Sequence, residues 1–255
     1  MRQSKTLAKL REGKLARICG MGHFLPSFVR HAAHYGFDAI WLDLEHRCMN
    51  DREVQALLGY FHLFDIDCLV RPSTLEKTKL YRYFEDGVSG LMIPLVSTAE
   101  KARMLVDAVK FPPIGERGLD GAGMDSDFVL QGGEGFTDRA NRETFLFVQI
   151  ETPEAVDNVE EIAAVEGVDG LFIGPADLTL RYRHKPGGGE LGEAEQRVAA
   201  AAEKYGKSWG RPAFSQEDMK HLHDAGARLI AHGGDFMAIK NMLEETAAKF
   251  DATEA

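Results

Sequence analysis

The chain has 255 residues, a formal charge of −10 and a sequence pI of about 5.4, a length that suits one large core and falls in the usual range of a single α/β barrel. So acidic a chain argues against nucleic acid and against a polyanionic membrane as partner, because both call for a basic surface, while a small local basic pocket for an anionic metabolite remains compatible with it. Three cysteines, Cys19, Cys48 and Cys68, without CxxC spacing, give neither a zinc knuckle nor a disulfide framework and suit a reducing compartment.

The first residues, MRQSKTLAKLREGK, carry charges every few positions and no apolar stretch of the signal-peptide kind. No run reaches the ~18 apolar residues of a membrane helix, so a cytoplasmic protein is expected. Short apolar runs then recur: LARICGM (15–21), DAIWLDLE (38–45), DCLVRP (67–72), SGLMIPLV (89–96), TFLFVQIE (144–151), DGLFIGP (169–175), KSWGRPA (207–213) and ARLIAHGGD (227–235). Amphipathic stretches lie between most of them, at 26–36, 50–61, 75–87, 98–111, 152–167, 190–206 and 215–226. Several open on Ser, Thr, Asn or Pro and several close on Gly, as capped helices do. Strands alternating with helices predict a parallel sheet, and eight is the number that closes a (β/α)8 TIM barrel. Residues 1–255 are expected to form one such domain; a doubly wound open sheet is the alternative.

Two segments interrupt the alternation. Residues 111–143, rich in Gly and Asp, are too long for a bare connector and read as an active-site or interface excursion. Residues 181–192, RYRHKPGGGELG, read as a basic, then glycine-rich loop. The tail FMAIKNMLEETAAKF (236–250) reads as a last helix whose apolar face docks on the barrel or on a neighbour.

In a barrel of this type functional groups sit at the C-terminal ends of strands and in the loops that follow. The second run ends on Asp43, Glu45 and His46, the third on Arg71, the fifth on Gln149 and Glu151, and the sixth leads into Gly174-Pro175-Ala176-Asp177; Asp86 closes the helix before the fourth. The fifth is the most pointed, because an otherwise apolar strand delivers an amide and a carboxylate to its very end. Glu151 and Asp177 together are hard oxygen donors of the kind that hold Mg2+ or Mn2+; singly, each also fits an ordinary acid at a helix start or in a loop. The small residues of IGPADL let backbone amides approach an anion closely, or form a plain strand-to-helix turn. Arg71 after an apolar strand needs an anion, which is either Asp43 or Glu45, or a substrate oxygen. His46 among carboxylates is the natural general base, and Asp86 is a candidate to orient its imidazole. His221 and His223 are two apart on a helix and do not share a face. GKS at 206–208 lacks the upstream glycine of a phosphate loop, and no G-x-S-x-G elbow occurs.

DLEH (43–46), VRPS (70–73), EDGVSGLMIPLV (85–96), PPIGERG (112–118), VQIET (148–152) and GVDGLFIGPADL (167–178) together resemble, in order, the metal-dependent (class II) pyruvate aldolases of the HpcH/HpaI type, the 2,4-dihydroxyhept-2-ene-1,7-dioate and 2-keto-3-deoxy acid aldolases. The similarity runs from about residue 15 to about 240. It implies a (β/α)8 barrel assembled as a homohexamer, a trimer of dimers, with the last helix exchanged between subunits. It further implies a divalent metal, Mg2+ or Mn2+ with Co2+ as a further option, on Glu151 and Asp177, and pyruvate chelating through its carboxylate and keto oxygens. Arg71 would sit on the keto oxygen, His46 and Asp86 would form an acid–base dyad, and Gln149 would lie beside the metal. Gly174 would allow close approach, and the amides of Ala176 and Asp177 would hold the pyruvate carboxylate. The implied reaction is reversible cleavage of a 4-hydroxy-2-oxo acid to pyruvate and an aldehyde through a pyruvate enolate.

The sequence departs from that pattern around the aldehyde side. Thr179 replaces a usual Ser, and the first loop, CGMGHFLP, lacks an aromatic often found there. The eighth run ends AHGGD rather than VGxD, and Arg211 stands in the seventh where a small or apolar residue is expected. Arg181, Arg183 or His184 are candidates to read a second carboxylate on the substrate. The alternatives are oxaloacetate decarboxylation, an acyl-CoA lyase of the malyl- or citryl-CoA kind, and a non-catalytic keto-acid-binding barrel.

Overall fold

The computed structural model describes residues 2–185 and 187–254; Pro186, inside the basic loop read from the sequence, lies outside the described residues. Eight parallel strands close into a barrel in sequence order: β1 (Ala16–Met21), β2 (Ala39–Asp43), β3 (Asp67–Arg71), β4 (Gly90–Ile93), β5 (Phe145–Ile150), β6 (Gly170–Ile173), β7 (Ser208–Pro212) and β8 (Leu229–Gly234). The helices are α1 (Lys5–Arg11), α2 (Pro26–His34), α3 (Asp51–Leu63), α4 (Lys77–Glu85), α5 (Ala99–Val109), α6 (Phe136–Glu143), α7 (Pro153–Asp157), α8 (Val159–Ala163), α9 (Pro175–His184), α10 (Leu191–Tyr205), α11 (Gln216–Asp224) and α12 (Asp235–Glu254). The closed barrel removes the open-sheet alternative.

Caps set the helix boundaries where the sequence marks them. Asn50 and Glu53 form a reciprocal capping box at the start of α3, Thr98 caps α5, and Gly206 ends α10 in the left-handed region (φ 64°), the conformation that costs glycine least. Three helices lie beyond the periodic pattern read from the sequence. α1 is a seven-residue helix held by Ser4 and by the buried Asp67 of β3, whose carboxylate accepts from Ser4 Oγ (2.7 Å) and Thr6 N (2.8 Å) and pairs with Arg2. α6 lies at the end of the long excursion. α9 carries the chain as helix through His184, so the basic residues expected in a loop begin on a helix instead.

Side-chain alternation sorts each strand between two cores. Ala16, Ile18, Ala39, Leu69, Met92, Phe145, Phe147, Phe172 and Leu229 fill the barrel, with Leu7 of α1 packed beneath them. Ile40, Leu42, Cys68, Val70, Leu146, Val148, Ile150, Leu171 and Ile173 face the helices. Continuing the inward parity toward the C-terminal ends of the strands gives Asp43, Arg71, Gln149 and Gly174. Arg211 has the opposite parity: it lies outside the barrel, with Nε on Glu195 of α10 (2.6 Å) and Nη1 and Nη2 on Asp218 of α11 (2.8 and 2.7 Å). It is therefore a structural cross-link, away from the aldehyde side on which the sequence placed it. Every α12 residue from Phe236 to Thr253 is exposed, including Phe236, Met237, Ile239, Met242, Leu243 and Phe250. Among the described residues, no helix is long and apolar enough to cross a membrane.

Candidate active site

The inward residues meet at the C-terminal mouth. Asp43 and Arg71 are register neighbours on β2 and β3 and form a two-point pair, Nε to Oδ1 at 3.0 Å and Nη2 to Oδ2 at 2.8 Å. Glu45 Oε2 lies 3.2 Å from Arg71 Nε, and the guanidinium stacks over Trp41, Cζ to ring centroid 4.7 Å. Burial pushes the Asp43 carboxyl up, but the hydrogen bond and charge of Arg71, with the amides of His46 and Glu45, outweigh it and hold the group below its ordinary value. Both readings of Arg71 can therefore hold at once: it is anchored by carboxylates and retains a face toward the mouth.

Gln149 follows Phe145 and Phe147 on the interior side of β5 and is 1 % exposed, and its Oε1 has no hydrogen-bond partner among the described residues. Glu151, 4 % exposed, accepts at Oε1 from the amide of Leu95 (2.7 Å). Burial is the largest influence on its carboxyl and raises the pKa, opposed by the Leu95 amide; Asp177 and Glu45 raise it further and Arg71 partly offsets them. Leu95 makes its contact from the left-handed region, φ 55°, an uncommon conformation for a leucine. Its carbonyl is held in turn by Lys101 Nζ at 2.8 Å. Nothing in the sequence marks Leu95, because a backbone amide carries no residue signature.

Gly174 stands directly against this carboxylate: a Cβ there would lie 2.2 Å from Glu151 Oε2. It precedes α9, whose Pro175 occupies the first turn, so the amides of Ala176 and Asp177 have no partner within the helix. Asp177 pairs through Oδ1 with Arg181 Nη1 at 2.7 Å, and the same nitrogen donates to the Glu151 carbonyl at 3.3 Å. Arg181 thus turns inward to the site, and Lys185 lies 3.4 Å from Asp157.

His46 is at the rim, its side chain 57 % exposed and its Nε2 3.6 Å from Glu45 Oε2. The structure does not bring Asp86 to it within one chain. Asp86 is the C-cap of α4, and the chain from there enters the N-terminal end of β4, so it lies toward the opposite face of the barrel from His46. There it accepts from Gln55 Nε2 at 2.9 Å, with its carboxyl raised mainly by burial. The placement follows from chain direction: helices that return to start a strand end at the N-terminal face.

A second polar cluster, unmarked by any motif in the sequence, lies on the β1/β8 side of the mouth. Asp235, buried at the end of β8, accepts at Oδ2 from Gly22 N (3.0 Å), His23 N (2.8 Å) and His23 Nδ1 (2.8 Å). The His23 ring lies 4.1 Å from that of Phe236.

A parallel eight-stranded barrel with a pair of carboxylates, a paired arginine and a histidine around one mouth has the layout of a TIM-barrel enzyme's active site. The chain belongs to the HpcH/HpaI aldolase/citrate lyase family, whose model matches residues 21–241. It is 34 % identical over 239 residues to a hydroxypyruvate/pyruvate aldolase of Delftia acidovorans, covering 92 % of this chain and 87 % of that one. It is 32 % identical over 219 residues to the 4-hydroxy-2-oxo-heptane-1,7-dioate aldolase of Escherichia coli, covering 85 % and 83 %. The crystal structure of an HpcH/HpaI aldolase from Desulfitobacterium hafniense superposes with a TM-score of 0.86 at 28 % identity, covering 95 % of both chains. The protein is accordingly an aldol lyase, a carbon–carbon lyase on a TIM barrel.

Proposed function

We propose that this aldol lyase reversibly cleaves the C3–C4 bond of a 4-hydroxy-2-oxo acid, releasing pyruvate and an aldehyde through a pyruvate enolate. The observation that carries the reading is the convergence of Arg71, Gln149, Glu151 and Asp177 at one mouth, with an unpartnered amide oxygen and a buried carboxylate left facing it. Those donors fit a divalent cation. Glu151 is buried next to two like charges, Gln149 Oε1 is unpaired among the described residues, and a Cβ at Gly174 would stand against the carboxylate. Two carboxylates and an amide would leave Mg2+ or Mn2+, with Co2+ as a further option, to complete its shell with water and substrate oxygens. When bound at Glu151 and Asp177, the metal supplies Lewis acidity toward the keto oxygen.

The chain's own groups account for the rest. Arg71, fixed by Asp43 and Glu45, presents a cation where negative charge grows on the keto oxygen as C3–C4 breaks. The Ala176 and Asp177 amides at the start of α9 receive the pyruvate carboxylate. His46 takes the proton of the C4 hydroxyl as the aldehyde forms, and an equivalent proton returned to C3 of the enolate completes pyruvate. Because Asp86 and His46 are apart within one chain, their dyad is assigned between copies, in a homohexamer built as a trimer of dimers. The uncovered apolar face of α12 supports such an assembly. Arg181 and Lys185 of the basic stretch are engaged by Asp177 and Asp157, which weighs against the acyl-CoA reading.

The direct test needs no aldehyde. Metal-stripped protein is incubated with pyruvate in D2O, and methyl-proton exchange is followed by NMR with and without Mg2+, Mn2+ or Co2+. Exchange that depends on the metal is expected; its absence with all three overturns the proposal.

A further inference from the structure

The turn between β4 and α5 carries a chain of two hydrogen bonds that ends on the Glu151 carboxylate. Lys101 Nζ donates to the Leu95 carbonyl at 2.8 Å, and the Leu95 amide donates to Glu151 Oε1 at 2.7 Å. We propose that Lys101 is a positioning residue for the aldol site: by holding the Leu95 carbonyl it keeps the turn whose amide fixes Glu151 for the divalent cation. The inference rests on the metal-assisted enolate reading above.

Three observations carry it. The first is conformational. Leu95 stands at φ 55°, where the Cβ of an L-residue crowds the following carbonyl, so its amide points at Glu151 only while the peptide is held there. Around it, Val96 N donates to the Gln149 carbonyl (3.3 Å), Ser97 Oγ meets Thr152 Oγ1 (2.8 Å) and Asn158 Nδ2 donates to the Ser97 carbonyl (2.9 Å). Those bonds dock the turn on the end of β5, whereas Lys101 holds the strained residue itself.

The second observation is that Lys101 runs against the chemistry of its own helix. Thr98 caps α5 and its hydroxyl accepts from the Lys101 amide at 3.1 Å, which makes Lys101 the third helical residue. A capping box takes Glu or Gln at that position, and a cation in the first turn opposes the helix dipole. The side chain does not serve the helix; it turns back past the helix start to Leu95. The third observation is that its charge has no other partner. Among the described residues Lys101 forms no salt bridge, and while burial lowers its pKa the charge of Glu151 opposes the shift. The ammonium therefore faces the same carboxylate that it helps to place.

The test compares Lys101→Met, Lys101→Gln and the double variant Lys101→Met/Leu95→Asn with wild type. Mn2+ affinity is read by water-proton relaxation, and amide exchange over residues 95–97 is read on metal-free protein. Gln keeps a donor for the Leu95 carbonyl without the charge, and Asn enters the left-handed region more readily than Leu. Lys101→Met should weaken Mn2+ binding about tenfold and speed the exchange. Lys101→Gln should stay within about threefold of wild-type affinity, and Leu95→Asn should recover most of what Lys101→Met loses. Wild-type affinity and exchange in Lys101→Met overturn the proposal. So does equal weakening by Met and Gln with unchanged exchange, which assigns the effect to charge alone. Pyruvate methyl exchange by the wild-type protein separates the two claims: its absence with every metal brings down the enolate reading, while amide exchange in the metal-free variants still decides the role of Lys101.

Discussion

Gly174→Ala is a one-carbon probe of whether the Glu151 carboxylate is held where the site needs it. The backbone at Gly174, φ −93° and ψ 87°, lies outside the left-handed region, so any effect is steric. The added Cβ would stand 2.2 Å from Glu151 Oε2, 2.7 Å from its Cβ and 3.2 Å from its Cδ, against an ordinary contact of about 3.5 Å. Glu151 is 4 % exposed and anchored on Leu95 N at 2.7 Å, so it cannot give way outward without breaking that bond. Overpacking of this kind costs about 1–3 kcal/mol, and losing a hydrogen bond to a charged group about 1.5–3 kcal/mol. The two are alternative routes of relaxation rather than additive, giving about 2–3 kcal/mol, or roughly 4–12 °C in Tm for a chain of this size. Calorimetry at fixed protein concentration reads the stability, and Mn2+ titration by water-proton relaxation reads the site, where affinity should drop at least about tenfold. Gly192→Ala is the control: it lies in α10 with nothing within 4 Å of a new Cβ and should be neutral or stabilising by up to ~1 kcal/mol. A Gly174→Ala protein with wild-type Tm and wild-type Mn2+ affinity would refute the reasoning.

Glu151→Gln keeps an acceptor for the Leu95 amide and removes a buried negative charge beside Asp177 and Glu45. Turnover should vanish while the fold persists; a folded variant with normal activity contradicts the assignment. The carboxyl's folded pKa is raised, so its ionised form opposes folding. That penalty is absent below the ordinary value of 4.5 and grows as pH rises through the folded pKa. Metal-free wild type should therefore lose stability relative to the Gln variant as pH is raised above about 4.5, and superimposable pH–stability curves would count against it. His46→Ala should impair aldol turnover far more than pyruvate binding, and Asp86→Asn should do the same. If the dyad forms between copies, random co-assembly of the two inactive variants should restore about a quarter of wild-type turnover, whereas no recovery places both residues' roles within one chain or elsewhere.

The eight strands were legible because each is a short apolar run set between capped amphipathic stretches, and a buried strand needs little more than that to be read. α1 was not, because its seven residues are held by Asp67, a partner sixty positions away on the barrel floor. α9 was misjudged for another reason. Its mean composition is basic and its inward face is limited to residues such as Pro175 and Leu178, so periodicity gave no signal against the glycine-rich residues after it. Arg211 was legible as an oddity but not in its direction, since strand parity decides between barrel and helix layer only once the register is known. The pairing of His46 with Asp86, which the family resemblance implies, is not met within one chain, because strand ends and strand-preceding helix ends lie on opposite faces. His23 and Asp235 escaped notice because β1 and β8 become neighbours only on closure, when residues more than two hundred positions apart meet.

What the sequence posed as a puzzle, a polar end on an apolar strand, the structure turns into a convergence of local costs. Gln149 keeps a buried acceptor unpaired, which costs about 1–3 kcal/mol. Glu151 is buried among like charges, and Leu95 adopts a left-handed backbone to meet it, a strain of about 1–3 kcal/mol. Folding stability for a domain is only about 5–15 kcal/mol, so three such features at unrelated places would be hard to sustain. They instead meet at one point, and a single divalent cation with its anionic substrate would relieve the first two together by supplying the missing partner for the amide and the missing positive charge for the carboxylates. On the proposed function, stability forgone at the mouth would be returned on binding, and the returned part would be differential free energy available to the enolate.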